Sequence, residues 1–455
     1  MEIAADKTGV VSAWRGVSTP AIAYSGLLLV ILIEYLGLAA EFGVLRALRI
    51  STLFAYGTFL VVIAYGGFAP AATSRQGRWL LGLFGMAAIS ILYAVVRAYV
   101  PAVLRSHVDY FALFVTAAAV VDRQSRVKGL AVTTTGVVLA LVLRNLDLLT
   151  SGVRVGAFRA NVFMGDGNDF AWGLIALMPM PLYLMLGRHG VLSRLFGLAG
   201  VSAAAFAVAG TQSRGATLGI TAAALYYLFF MSRRRLAGLV VVVALALVTL
   251  AFAPAGYLTR VTDTEVSDDA SAQGRIRAWT AATKMAIDYP LGVGAGSFNS
   301  AYGRFYIGDP DETFSSRRWI SAHSIYFKVL GESGFVGLFL LLGLLTSNFR
   351  DNAASMRASR LRPDRCRIDG LWPASLNFGL VGYVVAGAFL GGLTYPHIYL
   401  LSGLTVACRR MTADGGSDSP TPALAARHIS SPRLLSPRVK SRGATHYLPR
   451  PRVVG

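Results

Sequence analysis

The chain has 455 residues, of which 55% are hydrophobic and only 15% charged, and 43 Lys and Arg against 23 Asp and Glu leave a formal charge of +20. An ordinary soluble domain carries about 25% charged residues, so a water-soluble enzyme is excluded: too few charges are present to cover the surface of a fold this large. The two cysteines, Cys366 and Cys408, and the lack of any Cys/His cluster at zinc spacing exclude a disulfide scaffold and a structural zinc site, and no metal site is expected.

A membrane-spanning helix needs about 20 mostly apolar residues. By that measure twelve spans are predicted, near 21–39, 51–69, 79–97, 107–121, 129–146, 168–187, 195–212, 215–231, 236–253, 324–346, 373–392 and 393–408. The fourth and the last are short, and the last two are divided only by Gly391, Gly392 and Thr394, so ten or eleven spans are also compatible. No small-residue cleavage site follows the first apolar run, which is expected to be retained as an anchor. The expected fold class is therefore all-α: a polytopic integral membrane bundle of about 12 transmembrane helices, with one large extracytoplasmic loop at 254–323.

Loop basicity fixes the orientation. The segments 122–128, Arg188 with Arg194, Arg233–Arg235 and 350–367 are rich in basic residues and are assigned, with both termini, to the cytoplasm. The opposite side then carries 40–50, 98–106, 147–167, the turn at 212–215 and the long loop. Both cysteines fall on the cytoplasmic side, as reduced thiols should. The tail from Thr412 is rich in Ser, Pro and Arg and is expected to be disordered and drawn to anionic membrane lipid. It lacks the aromatic interleaving of a nucleic-acid-binding segment, so no nucleic-acid partner is expected.

The glycine-rich run Gly292-Val-Gly-Ala-Gly296 lacks the Lys-Ser/Thr of a phosphate loop and is expected to shape a turn before Phe298. Arg214, in Thr211-Gln-Ser-Arg-Gly-Ala216, sits in a polar interruption between two apolar runs. An arginine at membrane depth costs roughly 2.5–3.5 kcal/mol on insertion scales unless it has a partner or a wet cavity. A functional role is favoured there over snorkelling. Arg275 and Trp279 stand four apart on an amphipathic stretch that reaches Tyr289, so one helical face carries both, with Arg277 on another. An interfacial helix touching lipid phosphates explains that pattern equally well.

His323 opens the tenth span beside Ser321 and Ser324, where a histidine can titrate near neutrality and accept a proton, or simply cap the helix. His397 is a second candidate for the outer leaflet, but Tyr395-Pro-His397 reads as a helix entry; His107, His189, His428 and His446 are placed in short loops or the tail. Lys328 and Glu332, four apart in the tenth span, are expected to pair, and Glu34 is a charge within the first span. Asp166 and Asp169, in Gly165-Asp-Gly-Asn-Asp169, are read as helix-capping residues, and the acidic run Asp309–Glu312 as solvated.

In order along the chain, Ser213-Arg-Gly-Ala216, Gly274-Arg275 with Trp279, Tyr289-Pro-Leu-Gly-Val-Gly-Ala-Gly-Ser-Phe298, Ala322-His323 and Glu332-Ser-Gly-Phe-Val-Gly337 resemble the shared region of the O-antigen ligase and O-antigen polymerase superfamily over about 205–345. The Asp166–Asp169 stretch is similar to that of O-glycosylation ligases. The resemblance implies a bacterial inner-membrane glycosyltransferase working on the periplasmic face. Its donor would be a glycan on undecaprenyl pyrophosphate, and its acceptor hydroxyl would belong to lipid A core, another glycan, a lipid or a protein, with no metal, nucleotide or other cofactor. It carries the family's functional arginines onto Arg214 and Arg275 and its loop histidine onto His323. Arg277, Trp279 and Glu332 are the expected substrate-binding residues. The implied organisation is 1–204 as N-terminal transmembrane helices, 205–345 as the catalytic region with loop 254–323, 346–411 as C-terminal transmembrane helices and 412–455 as the tail. Ligase and polymerase differ only in acceptor and both stay open. A secondary transporter fits the composition, but its polar groups belong near the midplane rather than at one surface.

Overall fold

The computed structural model describes residues 20–151, 156–231, 239, 243, 270–307, 319–361, 363 and 366–413, excluding the side chains at 39, 40, 45, 46, 270 and 271. Apart from residues 239 and 243, the expected ninth span lies outside the described residues. So do Arg233–Arg235, the acidic run Asp309–Glu312 and the tail from residue 414.

Among the described residues every regular element is helical. The main helices are α1 (Ala21–Leu36), α2 (Ile50–Ala64), α3 (Arg75–Ile89), α4 (Val100–Val120), α5 (Gln124–Arg144), α6 (Gly167–Leu177), α7 (Pro179–Leu186), α8 (Val191–Gly210), α9 (Arg214–Tyr226), α10 (Ala270–Asp288), α11 (Ile325–Leu361), α12 (Leu371–Ala386) and α13 (Pro396–Ala413). Five stretches are long and apolar enough to cross a membrane: Arg97–Val120, Gln124–Arg144, Gly167–Leu186, Val191–Gly210 and Ile325–Leu361. Ala21–Leu36, Ile50–Ala64 and Leu371–Ala386 are shorter apolar helices. The chain is a polytopic helical membrane protein, with a helix at each predicted span that lies among the described residues.

The boundaries moved where local chemistry overrides hydropathy. The third span ends at Ile89 rather than 97, because Ser90–Leu92 tightens into a 3₁₀ turn. The sixth span is two helices joined at Met178, with Pro179 opening the second, a position where its missing N–H costs nothing. The segment 350–361, expected as a cytoplasmic loop, continues α11. Buried polar residues on this face and just before it bond to other helices: Asn348 donates to Ser402 at 2.9 Å, Asn352 to Asn377 at 3.0 Å, and Asp351 accepts from Gln76 at 3.0 Å.

Small residues let the helices approach closely. The position where Gly219 of α9 would carry a Cβ lies 2.8 Å from the Gly382 carbonyl of α12, so a larger residue would push these helices apart. Two buried arginines close the end of α4. Arg126 donates to the Val120 carbonyl at 2.9 Å while paired with Asp122 at 3.2 Å, and Arg410 donates to the Ala119 carbonyl at 2.9 Å. These carbonyls lack intrahelical partners, and cations are favoured at a helix C-terminus.

The long loop has an apolar core of its own. Ala278, Ala281, Ala282 and Met285 of α10 pack with Val293, Phe298, Tyr302 and Ala322. The glycine-rich run makes the turn expected of it: Gly292, Gly294 and Gly296 all have positive φ, followed by a short helix from Phe298. This turn is laid onto a break in α11 at Gly334 (φ 62°, ψ −162°), where Val293 and Gly294 donate to the carbonyls of Gly331 and Glu332 at 2.9 and 3.0 Å. A side chain at Gly334 would overlap the Pro290 carbonyl.

Candidate functional site

Five segments far apart in sequence meet at one end of the bundle. The first is the turn between α8 and α9. Gly210 ends α8, Gln212 takes a left-handed conformation (φ 54°), and Ser213 caps α9 by accepting from the Ala216 N–H. Thr211, Gln212 and Ser213 are buried and Arg214, the first residue of α9, is half-buried. The Arg214 side chain thus starts at the positive end of a helix.

The Ser213 hydroxyl also donates to Asn168 Oδ1 at 2.8 Å, which ties the turn to the start of α6. There Asp166 is the N-cap, accepting from the N–H groups of Asn168 and Asp169, as its sequence predicts. Asp169 accepts a 2.6 Å hydrogen bond from the Tyr395 hydroxyl, which draws in the segment between α12 and α13.

The fourth segment is 319–324. His323 is exposed in a left-handed conformation (φ 43°) immediately before α11. Ser324 is fully buried, with its hydroxyl against the Phe327 N–H, and the Ile325 N–H donates to the Gly387 carbonyl at 2.9 Å. The Cβ position of Gly391 lies 3.1 Å from the Ser324 nitrogen, so the 387–395 segment backs the histidine turn.

The fifth is α10. Trp279 donates to the Ala322 carbonyl at 2.9 Å and stacks on Phe327 with ring centroids 5.0 Å apart. Its ring also lies 6.1 Å from Phe389, and the Cβ position of Gly215 lies 2.7 Å from Phe389 Cβ. Phe389 therefore bridges the residue after Arg214 to Trp279. Arg275, half-buried one helical turn before Trp279, lies on the same side of α10.

The residue after Arg214, the Trp279 ring and the turn that carries His323 therefore meet the 387–395 segment, and Arg275 lies one helical turn from Trp279. Two predicted site residues stand apart from this group. Arg277 is exposed on another side of α10. Glu332 lies two turns along α11, roughly 10 Å from Ile325 at 1.5 Å rise per residue, and accepts from the Phe298 N–H at 3.4 Å, so it holds the glycine-rich turn. The expected Lys328–Glu332 pair does not form. Among the described residues no carboxylate lies within ion-pair distance of Lys328.

His397 stands at a helix start, as its sequence predicts, whereas His107 is placed differently from expectation. His397 is buried, with Nδ1 3.1 Å from the Tyr35 hydroxyl and its ring among Phe163, Trp172 and Tyr395. His107 lies inside α4, bonded to the Val103 carbonyl at 2.9 Å, rather than in a loop. Their neighbours explain both: each ring sits against aromatic side chains contributed by other helices. Sequence reasoning also missed the Asp169–Tyr395 bond. Its two ends are 226 residues apart, and a capping pattern gives no sign of a distant partner.

Helices able to span a membrane, with polar segments from a loop and several helix starts meeting at one end, define a polytopic helical membrane protein. Residues 199–342 match the family described as O-Antigen ligase, consistent with the O-antigen ligase and polymerase superfamily, whose members are glycosyltransferase-like enzymes. No curated protein matches the chain. The matched range takes in three of the five segments, with Arg214, Arg275, Trp279 and His323, and leaves out the start of α6 and 387–395.

Proposed function

We propose that this protein is a ligase-type glycosyltransferase of the bacterial inner membrane. It moves a glycan from undecaprenyl pyrophosphate to an acceptor hydroxyl on lipid A core or another surface molecule, at the periplasmic face. The observation that carries the reading is the meeting of the Arg214 turn, the Trp279 ring and the turn of the exposed His323 at the 387–395 segment, all three lying inside the region that matches the family.

The chemistry needs little else. Pyrophosphate is a good leaving group, so the main demand is positive charge where negative charge develops, and guanidinium meets phosphate bidentately. Arg214 and Arg275 take that role. Arg277, on the exposed side of α10, faces the charged surface from which the donor arrives. Trp279 forms a wall for donor or sugar. The acceptor hydroxyl is a poor nucleophile, and His323 takes its proton as it attacks the anomeric carbon, a contribution of about 10²–10⁴-fold. The C–O bond to pyrophosphate breaks on the opposite side, which inverts the anomeric centre. Glu332 supports the site by fixing the glycine-rich turn. Orientation rests on the basic loops, which leave this end of the bundle outside.

The test is complementation of a strain lacking the gene, comparing wild type with Arg214→Ala and His323→Ala at equal membrane abundance. Loss of attached glycan with accumulation of long lipid-linked chains supports the ligase. Accumulation of single lipid-linked repeats identifies a polymerase instead. Unchanged surface glycan in both variants overturns the transferase reading and favours transport.

A further inference from the structure

The side of α10 turned away from the loop's core has no part in the proposed transfer. Ile276, Thr280, Thr283 and Ile287 are exposed there, and spacings of four, three and four set them in one row. Ala278, Ala282 and Met285, on the opposite side, belong to the core. The Thr280 and Thr283 hydroxyls donate to the Ile276 and Trp279 carbonyls, both at 3.0 Å, which engages their protons within the helix. Ile287 is 64% exposed and Leu291 47%, and Tyr306, bonded to Asp288 at 2.8 Å, brings in Phe305, 59% exposed. Neighbouring exposed apolar side chains of this kind mark a surface that something covers.

The level of this surface follows from α11. Its 37 residues run about 55 Å, against a hydrocarbon core of about 30 Å. The part after the break at Gly334, residues 335–361, is about 40 Å long and spans unaided. The part before the break is laid across the end of the bundle. It starts at the end of α12, where the Ile325 N–H and the Tyr326 hydroxyl donate to the Gly387 and Val384 carbonyls, both at 2.9 Å. It finishes at the glycine-rich turn, whose Val293 carbonyl accepts from the Val95 N–H, just past α3, at 3.0 Å. α10 packs along this part, with Trp279 on Phe327 and the Cβ position of Gly331 3.3 Å from Met285 Sδ. It therefore runs across the end of the bundle too.

Lipid-facing side chains border it. The Tyr93 hydroxyl donates to the Leu291 carbonyl at 2.9 Å, and just before Tyr93 stand the exposed Ile89, Ile91 and Leu92 at the end of α3. Past Gly334, Phe335, Val336 and Phe339 are exposed on the spanning part of α11. The apolar side of α10 thus continues a surface that meets acyl chains, and Tyr93 and Tyr289 add rings suited to the headgroup level. Arg277 and Lys284, seven apart on one flank, are exposed and placed to meet phosphates. Asp288, the only carboxylate of α10, is engaged by Tyr306.

We propose that α10 lies in the interface of the leaflet at this end of the bundle. Its row from Ile276 to Ile287, with Leu291 and Phe305, is seated among the upper acyl chains of phospholipid, and Arg277 and Lys284 bind headgroup phosphates. Arg275 and Trp279, on the other flank of the helix, are thereby held at headgroup level. This inference does not depend on the transferase reading.

The test uses the full chain in nanodiscs of phosphatidylethanolamine and phosphatidylglycerol, with Cys366→Ser, since Cys408 is fully buried. Spin labels are attached through Ile276→Cys, Ile287→Cys and Phe305→Cys, one at a time. Collisions with oxygen, enriched in lipid, and with a nickel chelate, confined to water, give the depth of each label. Phe339→Cys, on the spanning part of α11, and Asp147→Cys, in an exposed loop, are the lipid and water controls. All three labels are expected about 5–10 Å into the boundary of headgroups and acyl chains. Nickel access equal to that of Asp147→Cys at any of the three overturns the proposal. Low access to both oxygen and nickel also overturns it, and puts a second copy of the chain or another protein on this side. Arg277→Glu with Lys284→Glu is expected to shift the Ile287→Cys label toward water; an unchanged depth overturns the phosphate contact.

Discussion

Arg214 is the residue on which the proposed site turns, because its position is over-determined. It follows a left-handed Gln212 and a capping Ser213, and the next residue, Gly215, is pressed against Phe389. Removing a preorganised donor from a charge-stabilising site costs about 10²–10³ in rate. Arg214→Ala is therefore expected to lower glycan transfer by at least that factor, and Arg214→Lys to recover part of it, since lysine keeps the charge without the planar fork. Transfer assayed in membranes with lipid-linked donor checks both; equal loss in Lys and Ala variants would show that the fork and not the charge matters. Gly334 is the opposite kind of residue, important for what it lacks. Its φ of 62° and the Pro290 carbonyl against it leave no room for a methyl group. Gly334→Ala is expected to destabilise by about 1–3 kcal/mol, read as a lowered thermal midpoint, and to loosen the glycine-rich turn from α11.

At the scale of elements, the site is held by hydrogen bonds between helix starts. Ser213 joins α9 to α6, and Tyr395 joins the start of α13 to α6 through Asp169. Contacting residues in one network show coupling of about 0.5–3 kcal/mol. A double-mutant cycle of Asp169→Asn and Tyr395→Phe should give a coupling within that range, whereas Asp169→Asn and Gly334→Ala, in separate elements, should add. Additivity in the first cycle would mean that the two groups do not act as a unit. Ser213→Ala should cost about 1 kcal/mol as a lost helix cap, with a fall in transfer larger than that loss explains if the turn also positions Arg214.

At the scale of the whole molecule, the two cysteines report on orientation. Cys366 is half-buried in the segment between α11 and α12, and Cys408 is fully buried in α13. In intact spheroplasts a membrane-impermeant maleimide is expected to leave both unmodified. A permeant maleimide should label Cys366 alone until denaturant exposes Cys408. Labelling of Cys366 by the impermeant reagent would invert the topology and place the site in the cytoplasm. The buried arginines near that end, Arg126 and Arg410, belong to the same argument: each ends on a carbonyl of the last turn of α4 rather than on lipid.

Much of this was legible in the residues. Helix class and approximate spans follow from runs of apolar side chains, since an α-helix satisfies its own backbone hydrogen bonds within the bilayer. The Asp166 cap, the turn at Gly292–Gly296 and the shared side of Arg275 and Trp279 follow from local spacing of a few residues. What only the tertiary structure decided are the contacts whose partners are distant in the chain. Glu332 turns to Phe298 instead of pairing with Lys328 four residues before it, Tyr395 donates to Asp169, and His397 is enclosed by Tyr35, Phe163 and Trp172. Helical periodicity states which side of its own helix a residue occupies. Which other helix lies against that side depends on how all the helices pack together, and no local pattern carries that information.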